Sequence, residues 1–185
     1  MKIATKKITV QNQEFTFTNR RAMFWENQKA LILSDLHIGK TAHFRKNGIA
    51  LSNTIFEKDL ERLSLLIDYF KPEKIIFVGD LLHAGDNSEV TAFCDWKSKY
   101  QDLEFLLIEG NHDKINSSLK TKLSLDFSET KLEFQDLIFT HDFKDSESKF
   151  QISGHIHPGF VLDSAVKNIV LPCFVVSENQ ILTYR

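Results

Sequence analysis

Apolar and polar positions follow one pattern in the first two thirds of the chain and another in the last third. Residues 6–17, KITVQNQEFTFT, alternate polar and apolar around Asn12-Gln13, which predicts a hairpin or two edge strands. Arg21 to Trp25 reads as a further strand before the Asn27-Gln28 turn, and residues 30–34 as a short buried one. Thr54 with Glu57 three residues on reads as a capping box. Phe56, Leu60, Leu63, Ile67 and Phe70 then recur at helical spacing and mark one apolar face. Lys71-Pro72 stops that helix. Lys74–Val78 is almost wholly apolar, as in a strand covered on both faces. A second helix, capped by Asn87 or Ser88, sets Val90, Phe93, Cys94 and Lys97 on one face. Leu103–Ile108 is the next buried strand, and a short polar helix follows over roughly 114–123. Beyond that the helical period disappears. Strands are predicted at 129–134, 137–140, 149–153, 160–163, 167–171, 173–176 and 180–184.

Strand, helix and strand in succession make a βαβ unit. A βαβαβ half followed by an all-strand half predicts an α/β fold with two sheets face to face and helices outside. The 185 residues contain no Pro/Gly linker, repeat or low-complexity segment, so residues 1–185 read as one domain. Hydrophobic content of 42% and charged content of 26% are ordinary for a globular chain, and sixteen Phe predict an aromatic core. The formal net charge of −2 argues against a protein that coats nucleic acid through bulk charge, so any such contact must be local. Cys94 and Cys173 are far apart and form no C-x-x-C motif, which fits core thiols in a reducing compartment. With no apolar run of eighteen residues and no signal-peptide core, the expectation is a soluble cytoplasmic protein without a membrane partner.

Chemistry concentrates where the apolar strands end. Leu31-Ile32-Leu33 runs into Ser34-Asp35-Leu36-His37. On a strand, residues i and i+2 point the same way, so Asp35 and His37 can reach one point beyond its carboxyl end. A D-x-H triplet alone is common and reads as readily as a solvated Asp and a core His. Four further strand ends change that: Gly79-Asp80, Gly110-Asn111-His112-Asp113, Thr140-His141-Asp142 and Gly154-His155-Ile156-His157. All lie at carboxyl ends, where open α/β sheets bind their ligands. Gly79, Gly110 and Gly154 allow backbone to approach such a site closely. Carboxylate, imidazole and one carboxamide, with no thiolate, favour Mn²⁺, Fe or Zn²⁺ over Ca²⁺. There are more ligands than one ion uses. Two ions about 3.5–4 Å apart with a bridging carboxylate would use them all, polarising a phosphoryl oxygen and supplying a hydroxide near neutral pH.

D-x-H, G-D, G-N-H-D, a later His and G-H-x-H, all present between Asp35 and His157, resemble the signature of the calcineurin-like metallophosphoesterase superfamily. That resemblance implies a four-layer α/β/β/α sandwich of two mixed sheets. It implies one metal held by Asp35, His37 and His157, a second by Asn111, His141 and His155, and Asp80 as the bridge. It also implies His112 as the acid that meets the phosphate or leaving group, with Asp113 orienting it and Asn111 beside the substrate. SDLHIGKTAHFRKNGI at 34–49, GDLLH at 79–83, GHIHPG at 154–159 and Leu171-Pro172-Cys173-Phe174 are similar to bacterial DNA-ligase-associated metallophosphoesterases, a group of DNA-damage-response endonucleases or phosphodiesterases. The implied cofactor is a pair of divalent ions, Mn²⁺ favoured. The implied partners are DNA or another phosphodiester, with functional association with a ligase and a helicase.

Other residues stay open. The segment from Ile38 to Gly48 reads as a basic loop over the first strand end, equally a phosphate clamp or a solvated loop, and His43 and Arg45 as either substrate contacts or solvated side chains. His83 reads as support behind a metal ligand. Asp142 and Glu109 read as plain loop carboxylates. Two alternatives stand beside a DNA phosphodiesterase: a small-molecule phosphodiesterase or phosphatase, and a non-catalytic scaffold of the same fold. Scaffold versions typically lose ligands that this chain retains.

Overall fold

The structure, a computed structural model, describes residues 2–52, 54–128, 130–144, 148–163 and 167–184. The elements are β1 Thr5–Val10, β2 Gln13–Thr18, β3 Met23–Trp25, β4 Ala30–Leu33, α1 Lys40–Lys46, α2 Thr54–Phe70, β5 Lys74–Val78, α3 Ser88–Lys97, β6 Glu104–Ile108, α4 Ser117–Leu123, β7 Asp126–Ser128, β8 Lys131–Phe134, β9 Leu137–Thr140, β10 Phe150–Ser153, β11 Gly159–Leu162, β12 Ile169–Pro172, β13 Val175–Val176 and β14 Gln180–Leu182. A seven-stranded sheet runs in the order β1 to β7, with β1–β4 antiparallel and β4–β7 parallel. A five-stranded mixed sheet has the order β13-β14-β10-β9-β8, with β14, β10 and β9 parallel. β11 and β12 form a separate hairpin.

Alternation along β4 and β5 builds two cores. Leu31, Leu33, Ile75 and Phe77 face a cluster with Leu63, Leu66 and Ile67 of α2 and Val90, Phe93 and Trp96 of α3. Ile32, Ile76 and Val78 face the other way, onto Leu137, Phe139, Phe150, Ile152 and Ile181 of the second sheet. The aromatic rings predicted by composition line both cores, Phe77, Phe93, Trp96 and Phe105 on the helix side and Phe15, Trp25, Phe139 and Phe150 between the sheets. Between the sheets the Trp25 ring packs 4.8 Å from that of Phe134, 5.2 Å from Phe139 and 5.7 Å from Phe15.

Two mixed sheets face to face with helices over the first agree with the expected fold. Among the described residues all helices precede β7, and α2, α3 and α4 pack over the first sheet. In the second sheet the Gln151 amide of β10 exchanges hydrogen bonds with the Lys144 backbone at 2.8 and 3.0 Å.

Asn87 is the cap of α3, its Oδ1 accepting from the N–H groups of Glu89 and Val90. Thr54 is the first described residue of α2, and residue 53 before it lies outside the described residues, as does residue 129 at the start of the predicted 129–134 strand. β7, three residues long, has too little pattern to be read from sequence. The segment after His37 is not a loop but helix α1. It lacks an apolar period because a buried carboxylate holds it. Glu89, 6% exposed, accepts from Gly39 N–H (3.0 Å), from the Thr41 hydroxyl and from Arg45 Nη2 (3.1 Å). The Arg45 charge compensates the burial of Glu89.

Candidate metal centre

Five strand ends converge where the two sheets meet. Backbone bonds tie the loop after β4 to the loop after β5: Asp35 N–H to Gly79 O, His37 N–H to Asp80 O and Ile38 N–H to Leu81 O, at 2.8–3.0 Å. Within this frame Asp35, His37, Asp80, His155 and His157 all adopt left-handed backbone, with φ between 49° and 65°. Such conformations cost about 1–3 kcal/mol each in non-glycine residues and persist only where the surroundings impose them. Five at one site mark side chains aimed by the fold.

Two groups result, each with its ligand atoms within 4.8 Å of one another: Asp35, His37 and His157, and Asp80, His141 and His155. Asp80 stands between them. One of its oxygens lies 3.3 Å from His141 Nε2, and the other lies 3.8 Å from His37 Nε2 in the first group. Asn111 Oδ1 lies 3.0 Å from His141 Nε2 and so belongs to the second group. His141 Nδ1 faces Val78 O at 3.2 Å; donation there leaves Nε2 as the atom turned to the centre. In each group two members are buried and the third, His155 or His157, is exposed, leaving one side open.

The glycines are required. At Gly79, φ +80°, a Cβ would overlap the His141 ring. A Cβ on Gly110 would overlap Asp80, and one on Gly154 would come within 2.8 Å of Asp35 Oδ2.

The donor set fits divalent cations. Asp35 Oδ1 is buried and receives no hydrogen bond from any described residue; its neighbour is His157 Nε2 at 3.4 Å. Burial raises the Asp35 carboxyl above its usual range, against the opposing hydrogen bond from Ser34 and the charge of His157. Burial alone would also raise Asp80, but hydrogen bonds from His141 and the His112 N–H outweigh it and hold Asp80 low. Burial disfavours the charged form of His141, yet Asp80 lifts it to about 9. Asp80 and Asp35 thus present negative charge to imidazole nitrogens, and oxygen and nitrogen donors without thiolate suit Mn²⁺, Fe or Zn²⁺.

His112 lies outside both groups. Its N–H donates to Asp80 Oδ1 at 2.9 Å, and its exposed ring sits 5.3 Å from that of His37 and stacks on His83 at 5.1 Å. The His83 ring lies 5.5 Å from that of His37. Asp113 differs from expectation. Its oxygens accept from Leu82 N–H (2.7 Å) and Gly110 N–H (2.8 Å), so it secures the 110–113 turn rather than the His112 ring. Its burial, only partly offset by these bonds, raises its carboxyl to about 6. Arg45 also departs from the substrate contact expected, because its guanidinium is engaged by Glu89. His43 is exposed with its ring 5.8 Å from His83, at the edge of the centre.

Ser34 and Thr183 escaped the sequence reading. The Ser34 hydroxyl donates to Asp35 and shares a 2.6 Å bond with Thr183 Oγ1. Adjacency to Asp35 was a signal for Ser34; nothing in sequence joins it to a residue 149 positions later. Asp142, read as a plain loop carboxylate, lies 3.4 Å from His155 Nδ1, whereas Glu109 pairs with Lys120 at 3.0 Å.

The model of the calcineurin-like phosphoesterase family matches residues 29–161, which contain all five strand ends. Among solved structures, Pseudomonas putida nuclease MPE is similar over 98% of this chain and 86% of that one, with 27% identity and a TM-score of 0.85. No curated protein sequence matches the chain.

Proposed function

Because the chain belongs to the calcineurin-like phosphoesterase family, we propose that it is a two-metal phosphodiesterase acting on nucleic acid, DNA in a damage response, with Mn²⁺ as the favoured metal. The observation that carries this reading is Asp80, one carboxylate whose two oxygens face two separate histidine-containing groups. Asp35, His37 and His157 would hold one ion, Asn111, His141 and His155 the other, and Asp80 both. Such a pair neutralises charge on a phosphoryl oxygen and acidifies a water. The similar Pseudomonas putida protein is a nuclease, which supports a phosphodiester in nucleic acid as substrate.

The chain's own residues supply the rest. His112, outside both groups and anchored through its N–H to Asp80, donates a proton to the departing oxygen. Exposed His155 and His157 border the side from which a strand enters. His43 and Lys46, both exposed on α1, would meet a phosphate flanking the scissile one, while Arg45 holds the helix. A diester in a strand carries such flanking phosphates; a monoester does not.

The test is a panel with Mn²⁺-loaded protein: bis-p-nitrophenyl phosphate, p-nitrophenyl phosphate, a cyclic nucleotide and single-stranded DNA. Hydrolysis of the diester and of DNA ahead of the monoester is expected. Faster monoester hydrolysis, or intact DNA, overturns the reading.

A further inference from the structure

A second cluster of charged side chains shares the metal centre's end of the first sheet. Met23 of β3 pairs with Ile32 of β4 in antiparallel register, so the turn at 19–22 leaves the sheet at the end where β4 runs on to Asp35. The amino-terminal half of α2 comes to the same end, because its other terminus leads through Lys71 into the start of β5. Turn and helix enclose an open cleft of about 520 Å³, lined by Arg20, Arg21, Lys58 and Arg62 and by the carboxylates Asp59 and Glu61. Asp59 also lines, with His37, the small cavity between α1 and α2, so one residue borders both this cleft and the surroundings of a metal ligand.

The charges in the cleft do not balance. Four cations face two carboxylates, an excess of two positive charges in a chain whose net charge is −2. Arg62 is fixed in place: Nε and Nη2 donate to Asp59 Oδ1 at 3.3 and 3.2 Å, and Nη1 donates to the Arg20 carbonyl at 2.7 Å. Arg21 reaches the same Asp59 oxygen only at 3.8 Å, and its side chain is 44% exposed. One carboxylate thus serves two guanidiniums. Burial lowers Arg62 from its usual range, Asp59 opposes this, and the like charge of Arg21 adds to it. Like charges held this close repel, and an anion seated beside them relieves the repulsion.

We propose that this cleft seats backbone phosphates of a nucleic-acid strand outside the metal centre, with Arg21 and Lys58 as the contacting cations and Arg62 with Asp59 as their support. This rests on the reading of the substrate as nucleic acid, and it adds a path for the strand, from the metals toward the turn at 19–22. A guanidinium matches two phosphate oxygens at once, and an ammonium supplies a point charge. The cleft is also the local basic surface that a chain of negative net charge needs to hold a polyanion. Among the described residues its lining has a single apolar side chain, Leu65, too little to anchor in a lipid surface.

Fluorescence anisotropy of a labelled single-stranded DNA oligonucleotide over a salt series tests this on the full chain as purified, with no metal added so that the strand stays intact. Arg21→Asn suits the left-handed backbone there, φ 57°, and Lys58→Ala alters an exposed helix position. Each phosphate contact to a single strand adds about 0.7 to the slope of log K against log salt, so the double variant should lose about 1.4 and bind about 25-fold more weakly at 0.1 M salt. Lys71→Asn with Lys99→Ala removes as much charge at the opposite end of α2 and should keep the wild-type slope. If the double variant does not fold, Lys58→Ala alone should lose about 0.7, or about 5-fold. No binding by the wild type, an unchanged slope in the cleft variants, an equal loss in the Lys71 and Lys99 control, or displacement of the strand by a mononucleotide at equal phosphate concentration would each overturn the assignment. Hydrolysis of bis-p-nitrophenyl phosphate by the Mn²⁺-loaded wild type is scored apart: its absence would overturn the two-metal reading and leave the salt slopes to decide the cleft.

Discussion

Replacing Asp80 by Asn tests the centre most directly, because it removes one charge and changes little else. Left-handed backbone, φ 52° at Asp80, is readily adopted by Asn. The Asn oxygen can still accept the His112 N–H that Asp80 accepts at 2.9 Å. What disappears is the charge facing His141 Nε2 at 3.3 Å and His37 Nε2 at 3.8 Å, the two sides on which ions would sit. Unit charges 4 Å apart interact by about 4 kcal/mol at an effective dielectric constant of 20. Taken as a floor for a divalent ion, that predicts roughly 10³-fold weaker binding of each metal. Calorimetric titration of metal-stripped protein with Mn²⁺ should show two ions per wild-type chain. D80N should show severely weakened binding and no measurable diester hydrolysis. The metal-free melting temperature near neutral pH should fall as well, since Asp80 is held low by its pairing with His141, which it in turn lifts to about 9. Two ions bound to D80N at near wild-type affinity, or turnover within tenfold, would refute the shared-carboxylate reasoning.

Three further outcomes follow. His112→Ala should keep both ions and lose about 10²–10⁴-fold in kcat, as for a general acid; metal loss by calorimetry would make His112 a ligand instead. Gly79→Ala should lose the ion held by His141 first and destabilise the chain, because φ is +80° and the added Cβ overlaps the His141 ring; unchanged metal stoichiometry and melting temperature would contradict this. In metal-free protein His141 is lifted from 6.5 to about 9, so its stabilisation is complete below pH 6.5 and lost as pH rises through 9. Melting temperature should decline across that window in the wild type but not in His141→Gln or in metal-loaded protein, and equal declines in all three would exclude His141 as the cause.

Much of the centre was legible because its ligands end strands. Alternation makes Asp35 and His37, or His155 and His157, neighbours at one point without any knowledge of the fold, and an apolar run stopping at Gly-Asp or Gly-Asn-His announces a carboxyl end. Local chemistry also sufficed for Asn87, whose side chain competes for the first N–H groups of α3.

Other features depend on residues far apart in the chain, and tertiary structure decided them. Helix α1 has no apolar stripe of its own; Glu89, 50 positions from Gly39, satisfies its first turn and binds Arg45, which turned a supposed substrate contact into a support. Asp113 had two polar environments open to it, and the backbone of Leu82 claimed it rather than the His112 ring. The division of ligands into two groups needed both sheets in place, because His141 and His155 come from one and Asp35, His37 and Asp80 from the other. Alternation could place β11 and β12 but not say what they pack on. Hydrophobic pattern specifies which side chains share a face, whereas burial depends on what the rest of the chain, or another chain, brings against that face.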